Sequence, residues 1–532
     1  MPTRKATVTP PATDIEGALA ALGAEELREA IRELLCELDE RAQGRAVSSL
    51  IHRAARRSGW APAAVSNEDV AEVLAFVEAA EQEAYADPSD FDDLLLSGST
   101  AFLRKDYQTA FEIFGALLPP LADGEIHLGQ DEMVDEVLGV DAGECAVQFV
   151  VSAYMTSAPK GRAAAVRSAI DTVQGLLYFT EPLEELERTA LEPLPGLDEF
   201  LPEWRALIEG ELDDEPRSDW DSEQDRWLRE VVQRLEGSKG LEKIARSSGR
   251  ADDLRAWCRS LVKARDWKAA LSAFDAAAEL VAGKEYARGE FLDGAALAAQ
   301  ELGRKDLPAR LERGWREAPS VERLSRWLGA AGGKASLRKR AADALAACPK
   351  QDQRQRALLH VLLGDLESAA RLLASAPGLG WSDPKHPGRL LFPVLQALLA
   401  GKPVALSSAI GLASISARDF DDLEAISDGP EGPRLATPEL DRLFALANLP
   451  HLAAGPVREV VLDAMCEAAE SRVEGVTGNK RRNHYGDAAS LVAICAGLDP
   501  SPVTDRWVAR IRDEHRRFPA FRAELDRRIG AR

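Results

Sequence analysis

The apolar positions of this chain recur at helical spacing, and one phrase of them repeats. In residues 265–280, RDWKAALSAFDAAAEL, an aromatic (Trp267), a small residue three on (Ala270) and an aromatic four further (Phe274) share one face of a helix. The small central side chain lets a neighbouring backbone come close, while the flanking aromatics supply the apolar area that favours the approach. The same phrase returns at Tyr107, Ala110 and Phe114, at Leu366, Ala369 and Leu373, and at Tyr485, Ala488 and Val492. Four copies predict helices packed on helices.

The pattern between these phrases is also helical. Residues 1–13 form a polar, proline-bearing leader expected to be disordered. Residues 14–86 predict a head of three helices; Leu27, Ile31, Leu34 and Leu35 mark an amphipathic face, and Ser66-Asn-Glu-Asp is a capping-box-like start. Residues 87–208 read as an acidic helical region that opens with a helix pair over 91–118, stopped by Pro119 and Pro120, and is punctuated near its end by Pro193, Pro195 and Pro202. Residues 209–225 are acidic and poor in hydrophobes, as expected of an interdomain linker.

Dense helices with short, often glycine-bearing connections fill 226–400, and 401–532 closes with further helices, among them 420–426, and a basic end. Short connections place successive helices antiparallel. The expected fold is therefore all-α, an α-solenoid of helix hairpins, irregular because the spacing between Tyr107, Trp267, Leu366 and Tyr485 is not constant.

Two stretches resemble known families. Phe102-Leu-Arg-Lys-Asp-Tyr-Gln-Thr-Ala-Phe-Glu-Ile-Phe is similar to the turn and second helix of a tetratricopeptide repeat, over about half of one repeat. Lys480-Arg-Arg-Asn-His-Tyr-Gly-Asp-Ala-Ala-Ser-Leu, followed by Trp507 and the stretch 511–526, resembles the helical tail of bacterial SWIM zinc-finger proteins over about a tenth of the chain. That family's C-x-C and C-x-H zinc module has no counterpart here, so the resemblance implies a helical-repeat ending and no zinc-dependent role.

Composition agrees with an all-helical chain. Its 532 residues allow several domains or one long array, and abundant Ala and Leu with only 6% aromatics suit helices better than strands. The net charge of −22 is uneven: residues 1–235 carry −28 and the remainder +6. An acidic front half disfavours a phosphate backbone, whereas the rear half tolerates an anionic partner. No apolar run approaches the roughly 20 residues of a membrane span, so a soluble, cytoplasmic protein is expected. Six widely spaced cysteines (Cys36, Cys145, Cys258, Cys348, Cys466 and Cys495) read as buried thiols of a reducing compartment.

Searching for chemistry returns little. Seven histidines include no H-E-x-x-H pair, and there is no G-x-S-x-G elbow. The nearest approach to a phosphate loop, Gly329-Ala-Ala-Gly-Gly-Lys-Ala-Ser, has Leu328 where the first glycine belongs and Ala335 where a hydroxyl belongs, so it reads as a turn between helices. No catalytic residue, cofactor or metal is expected.

The candidate partner-binding residues are the basic turn Lys480, Arg481, Arg482 and His484, joined by Arg510 and Arg517, together with Trp220 and Trp381 in loop-like contexts. Acidic residues among the C-terminal arginines, Asp505, Asp513 and Glu514, predict local ion pairs there. The leading functional expectation is a non-enzymatic scaffold, adaptor or regulatory subunit for a protein or peptide. A nucleic-acid accessory factor acting through the C-terminal arginines is the alternative, and a regulatory target cleaved in the acidic linker is a third.

Overall fold

The computed structural model describes residues 12–62, 70–129, 134–213, 220–383, 385–402, 404 and 432–530. Within them the chain is all-α: 25 α-helices and no strand, with one isolated bridge between Tyr85 and His127. Two compact units divide it, Met1–Leu241 and Glu242–Arg532. The division falls inside the helix Glu223–Ser248, just after Gly237, whose φ of 62° and ψ of −153° interrupt a segment that the sequence presents as two helices. The leader's first eleven residues, residues 214–219 of the acidic stretch and the helix expected at 420–426 lie outside the described residues.

A single turn geometry precedes three of the four copies of the repeated phrase. At Lys105, Arg265 and Gly364 the chain enters the left-handed region, with φ of 65°, 54° and 80°. The next residue is aspartate each time, with nearly superimposable dihedrals: −83° and 70° at Asp106, −81° and 71° at Asp266, −82° and 72° at Asp365. Its N–H closes the preceding helix on Ala101 O, Leu261 O or His360 O at 2.9–3.0 Å. Its carboxylate then caps the next helix, accepting from Thr109 N, Ala269 N or Ser368 N.

In all four copies the apolar phrase lands inside. Ala110, Ala270, Ala369 and Ala488 are all fully buried, as are Phe114, Phe274, Leu373 and Val492. The two closing phenylalanines lie over glycines of the helix beside them. A Cβ at Gly98 would stand 2.7 Å from Phe114, and one at Gly294 would stand 2.4 Å from Phe274. Trp267 is only half-buried, so the small and closing positions of the phrase carry the packing.

Elsewhere the structure corrects the sequence. Pro119 and Pro120 do not stop their helix, which runs Tyr107–Ala122, and Pro202 lies inside Leu197–Asp213. Pro119 and Pro120 occupy the last turn, and their carbonyls still accept from Asp123, Glu125 and Ile126. Cys145, Cys258, Cys348 and Cys495 are buried, but Cys466 is half-buried and Cys36 exposed, on a helix, Ala24–Glu37, that buries nothing. On that helix Leu34 is 62% exposed, while Leu27 and Leu35 are half-buried.

In the first unit, Tyr154, Phe200, Trp204 and Trp227 form a row of rings with successive centroids 4.9–5.9 Å apart. Trp227 donates its indole N–H to Phe179 O at 2.7 Å. Nearby, the Glu230 carboxylate accepts from Leu183 N and Glu184 N at the start of the helix Pro182–Thr189. Burial pushes its pKa up to about 7 against those two bonds and the Arg234 charge. A carboxyl whose folded pKa is raised holds its proton more tightly when folded, so its contribution to stability is full below about 4.5 and is lost as pH rises towards about 7. The Glu230→Gln protein is expected to lack that decline. Urea midpoints of both proteins between pH 4 and 8 check this, and parallel curves would refute it.

Candidate functional site

Five pieces of the second unit meet around one cavity: the loop that carries Trp381, the helix Gly388–Leu399, the helix Pro456–Gly478, the turn 479–484 and the helix Tyr485–Leu498. Glycines bring the loop onto the helix. A Cβ at Gly378 would lie 1.8 Å from Ser471 O, and one at Gly475 would lie 2.8 Å from the Gly378 carbonyl carbon, so two backbones touch where neither could carry a side chain. Arg472 reinforces the contact by donating to Gly378 O at 3.1 Å.

The loop is held from its other side as well. Arg354, on the helix Gln353–Leu363, donates to His386 O at 3.0 Å and to Asp383 O at 2.6 Å. His386 Nδ1 accepts from Gly388 N, which leaves the Nε2–H to donate to Pro377 O at 2.9 Å. Burial lowers the His386 pKa, in keeping with that neutral tautomer.

The cavity measures about 360 Å³ and is lined by Trp381, Arg389, Arg472, Arg481, His484 and Asp487, with Leu379, Gly380, Ser382 and Leu491. Arg472 is 7% exposed and its guanidinium stands 5.7 Å from the Trp381 ring centre. Burial pulls its pKa below the usual arginine value; Asp487 offsets part of this and Arg389 adds to it. Arg389, Arg472 and Arg481 make no ion pair among the described residues. Asp487, the single carboxylate of the lining, stands 3.6 Å from His484 Nδ1. The Trp381 indole N–H is buried with no hydrogen-bond partner among the described residues. Such a set of donors suits an anion.

A comparison of the sequence with protein-family models and with curated proteins finds no match.

Of the residues singled out from sequence, Arg481, His484 and Trp381 come together here, with Lys480 and Arg482 exposed beside them. Trp381 corrects the expectation of an accessible anchor. It is 5% exposed, because its loop folds back and packs the ring between His386, at 5.3 Å, and Phe392, at 6.3 Å. Arg510 is paired with Glu470 and Glu514. Arg517 lines a separate cavity with Glu474, Asp513 and Glu514. Trp220 belongs to the first unit and is 84% exposed.

Arg389 and Arg472 were missed from sequence, although a signal existed for Arg472. The buried stripe of its helix runs Val461, Met465, Ala468, Arg472 and Val476, so a cation occupies a register reserved for apolar side chains.

The first unit also holds a cavity of about 360 Å³, whose lining includes His52, Ser99, Glu144, Cys145 and Gln148. Its groups are engaged elsewhere. Ser99 donates to Gln148 Oε1 at 2.6 Å, and His52 Nε2 faces Thr189 O at 2.9 Å. Burial pushes the Cys145 thiol far up, away from the thiolate a nucleophile needs. Neither hydroxyl nor thiol is paired with the imidazole as a nucleophile is with its base.

Proposed function

We propose that this chain is a non-catalytic scaffold of stacked helices whose second unit holds an acidic segment of a protein or peptide partner. The observation that carries the reading is the cavity with three guanidinium groups and one carboxylate. Some arginines of the unit have acidic partners, as Arg255 has Glu290 and Arg310 has Asp275, and others, such as Arg354 and Arg458, spend their donors on backbone carbonyls. Three cations left without an acidic partner, two of them half or more buried, favour an anion from outside.

The alternative partner, nucleic acid, finds less support. A backbone-tracking surface needs a run of available cations, and the C-terminal helices interrupt theirs with internal pairs, Arg510 to Glu470, Arg512 to Asp526 and Arg527 to Glu524. Cleavage in the acidic linker 209–225 is the third reading, and residues 214–219 at its centre lie outside the described residues. No described helix is long and apolar enough to cross a membrane.

Binding of the full chain to matched acidic and basic peptides tests the reading. Acidic peptides are expected to bind in a salt-sensitive way and to be recovered unaltered, and Arg481→Glu is expected to weaken binding about tenfold or more. Equal affinity for basic peptides, or an Arg481→Glu protein that binds as well as the wild type, would refute it.

A further inference from the structure

We infer that the cavity is built for a phosphate monoester carried on the partner's side chain, rather than for a carboxylate. The inference rests on the reading of this cavity as an anion site and specifies which anion it selects.

Charge is the first argument. Three guanidinium groups against the one carboxylate of Asp487 leave two positive charges. A phosphate monoester carries about −1.5 to −2 at neutral pH and three acceptor oxygens, whereas a carboxylate would leave a cation uncompensated. At the buried wall of Trp381, Arg472 and Leu491 that remainder is costly, since burial magnifies unmet charge, while Arg481 and Asp487 are exposed. Donor geometry is the second. Each guanidinium offers a planar fork suited to two oxygens, and the unpaired Trp381 N–H adds a neutral donor at the same cavity.

The register of the repeated turn supplies a third argument. Lys480 has φ of 55°, Arg481 N donates to Val476 O at 2.8 Å, and Arg481 itself has φ of −80° and ψ of 69°. This is the same turn as at Asp106, Asp266 and Asp365, with arginine in the capping position. No side chain caps the helix that follows; a short 3₁₀ segment, Arg482–His484, intervenes and the α-helix starts only at Tyr485. The one copy of the turn that lines the cavity has exchanged its structural anion for an unpaired cation.

A phosphodiester backbone fits less well. Each of its phosphates bears a single charge, and Arg510, Arg512 and Arg527 of the C-terminal helices are held by acidic neighbours.

The test uses the full-length protein and four probes: inorganic phosphate, a short phosphoserine peptide, the same peptide with glutamate in that place, and a single-stranded oligonucleotide. Calorimetry reads affinity, and the indole N–H resonances, assigned with a Trp381→Phe variant, read the site. The phosphoserine peptide is expected to bind at least about tenfold tighter than the glutamate peptide, to shift the Trp381 resonance, and to be displaced by inorganic phosphate. Arg389→Gln and Arg481→Gln, on half-buried and exposed side chains, are expected to remove the preference while the fold persists. Equal binding of the two peptides would overturn the phosphate assignment and leave the anion site standing. Failure of both peptides to bind would overturn both readings. Oligonucleotide binding that outcompetes the phosphoserine peptide at Trp381 would assign the cavity to a nucleic acid instead.

Discussion

Replacing Asp293 with alanine is expected to destabilise the second unit by about 3–5 kcal/mol, the range for breaking a buried ion pair from one side. Asp293 is 5% exposed on the helix Glu285–Glu301 and faces two arginines of the helix Val321–Gly329. Arg323 Nε lies 2.9 Å from one carboxylate oxygen and an Arg326 terminal nitrogen 3.1 Å from the other. Both guanidinium groups are nine-tenths buried or more by residue, and Asp293 is their only carboxylate among the described residues. The bonds that survive, from Arg323 to Ala318 O and from Arg326 to Thr437 Oγ1, satisfy hydrogen-bonding capacity and no charge. Urea denaturation compares Asp293→Ala with Glu312→Ala, which removes an exposed partner of Arg316 and is expected to cost at most about 1 kcal/mol. Similar losses from both would show that burial does not amplify the inner network.

Alanine at Gly378 should have the second large effect, acting on the site as well as on stability. Its Cβ would stand 1.8 Å from Ser471 O, and that oxygen belongs to a helix backbone that cannot swing aside. Overpacking of this kind costs about 1–3 kcal/mol and more where nothing yields. The loop must lift from the helix Pro456–Gly478, which parts Trp381 from Arg472 and opens the cavity. Gly478→Ala is the control, since nothing lies within 4 Å of a Cβ there. Thermal denaturation and acidic-peptide binding are both expected to fail or fall steeply for Gly378→Ala and to remain unchanged for Gly478→Ala. Normal binding by Gly378→Ala would mean that the close approach does not hold the cavity together.

Much of the fold was legible because helix formation is local. The phrase beginning at Tyr107, Trp267, Leu366 and Tyr485 identifies a buried alanine and a buried closing residue in every copy. The aspartate caps were visible as residue types, but nothing in the sequence announces that Lys105 and Arg265 adopt a left-handed backbone usually left to glycine. Pro119 and Pro120 misled because proline in a final turn forfeits only a bond or two while its carbonyl goes on accepting.

The site was legible in pieces. Lys480 to His484 drew notice as a basic turn and Trp381 as a loop aromatic, yet about a hundred residues separate them, and they are joined by the close approach of Gly378 to the helix at Ser471, Arg472 and Gly475. Arg389 reads as one more surface charge, and Arg472 is informative only against the apolar stripe it interrupts.

The turn at Arg481 sets two pressures against each other. Three sister turns show which side chain the architecture favours at that corner, a short acid that secures the outgoing helix. A long cation there caps nothing. An aspartate at position 481 would therefore be expected to steady the outgoing helix and, on the function proposed above, to weaken the site, so that stability and binding would move in opposite directions on that one exchange.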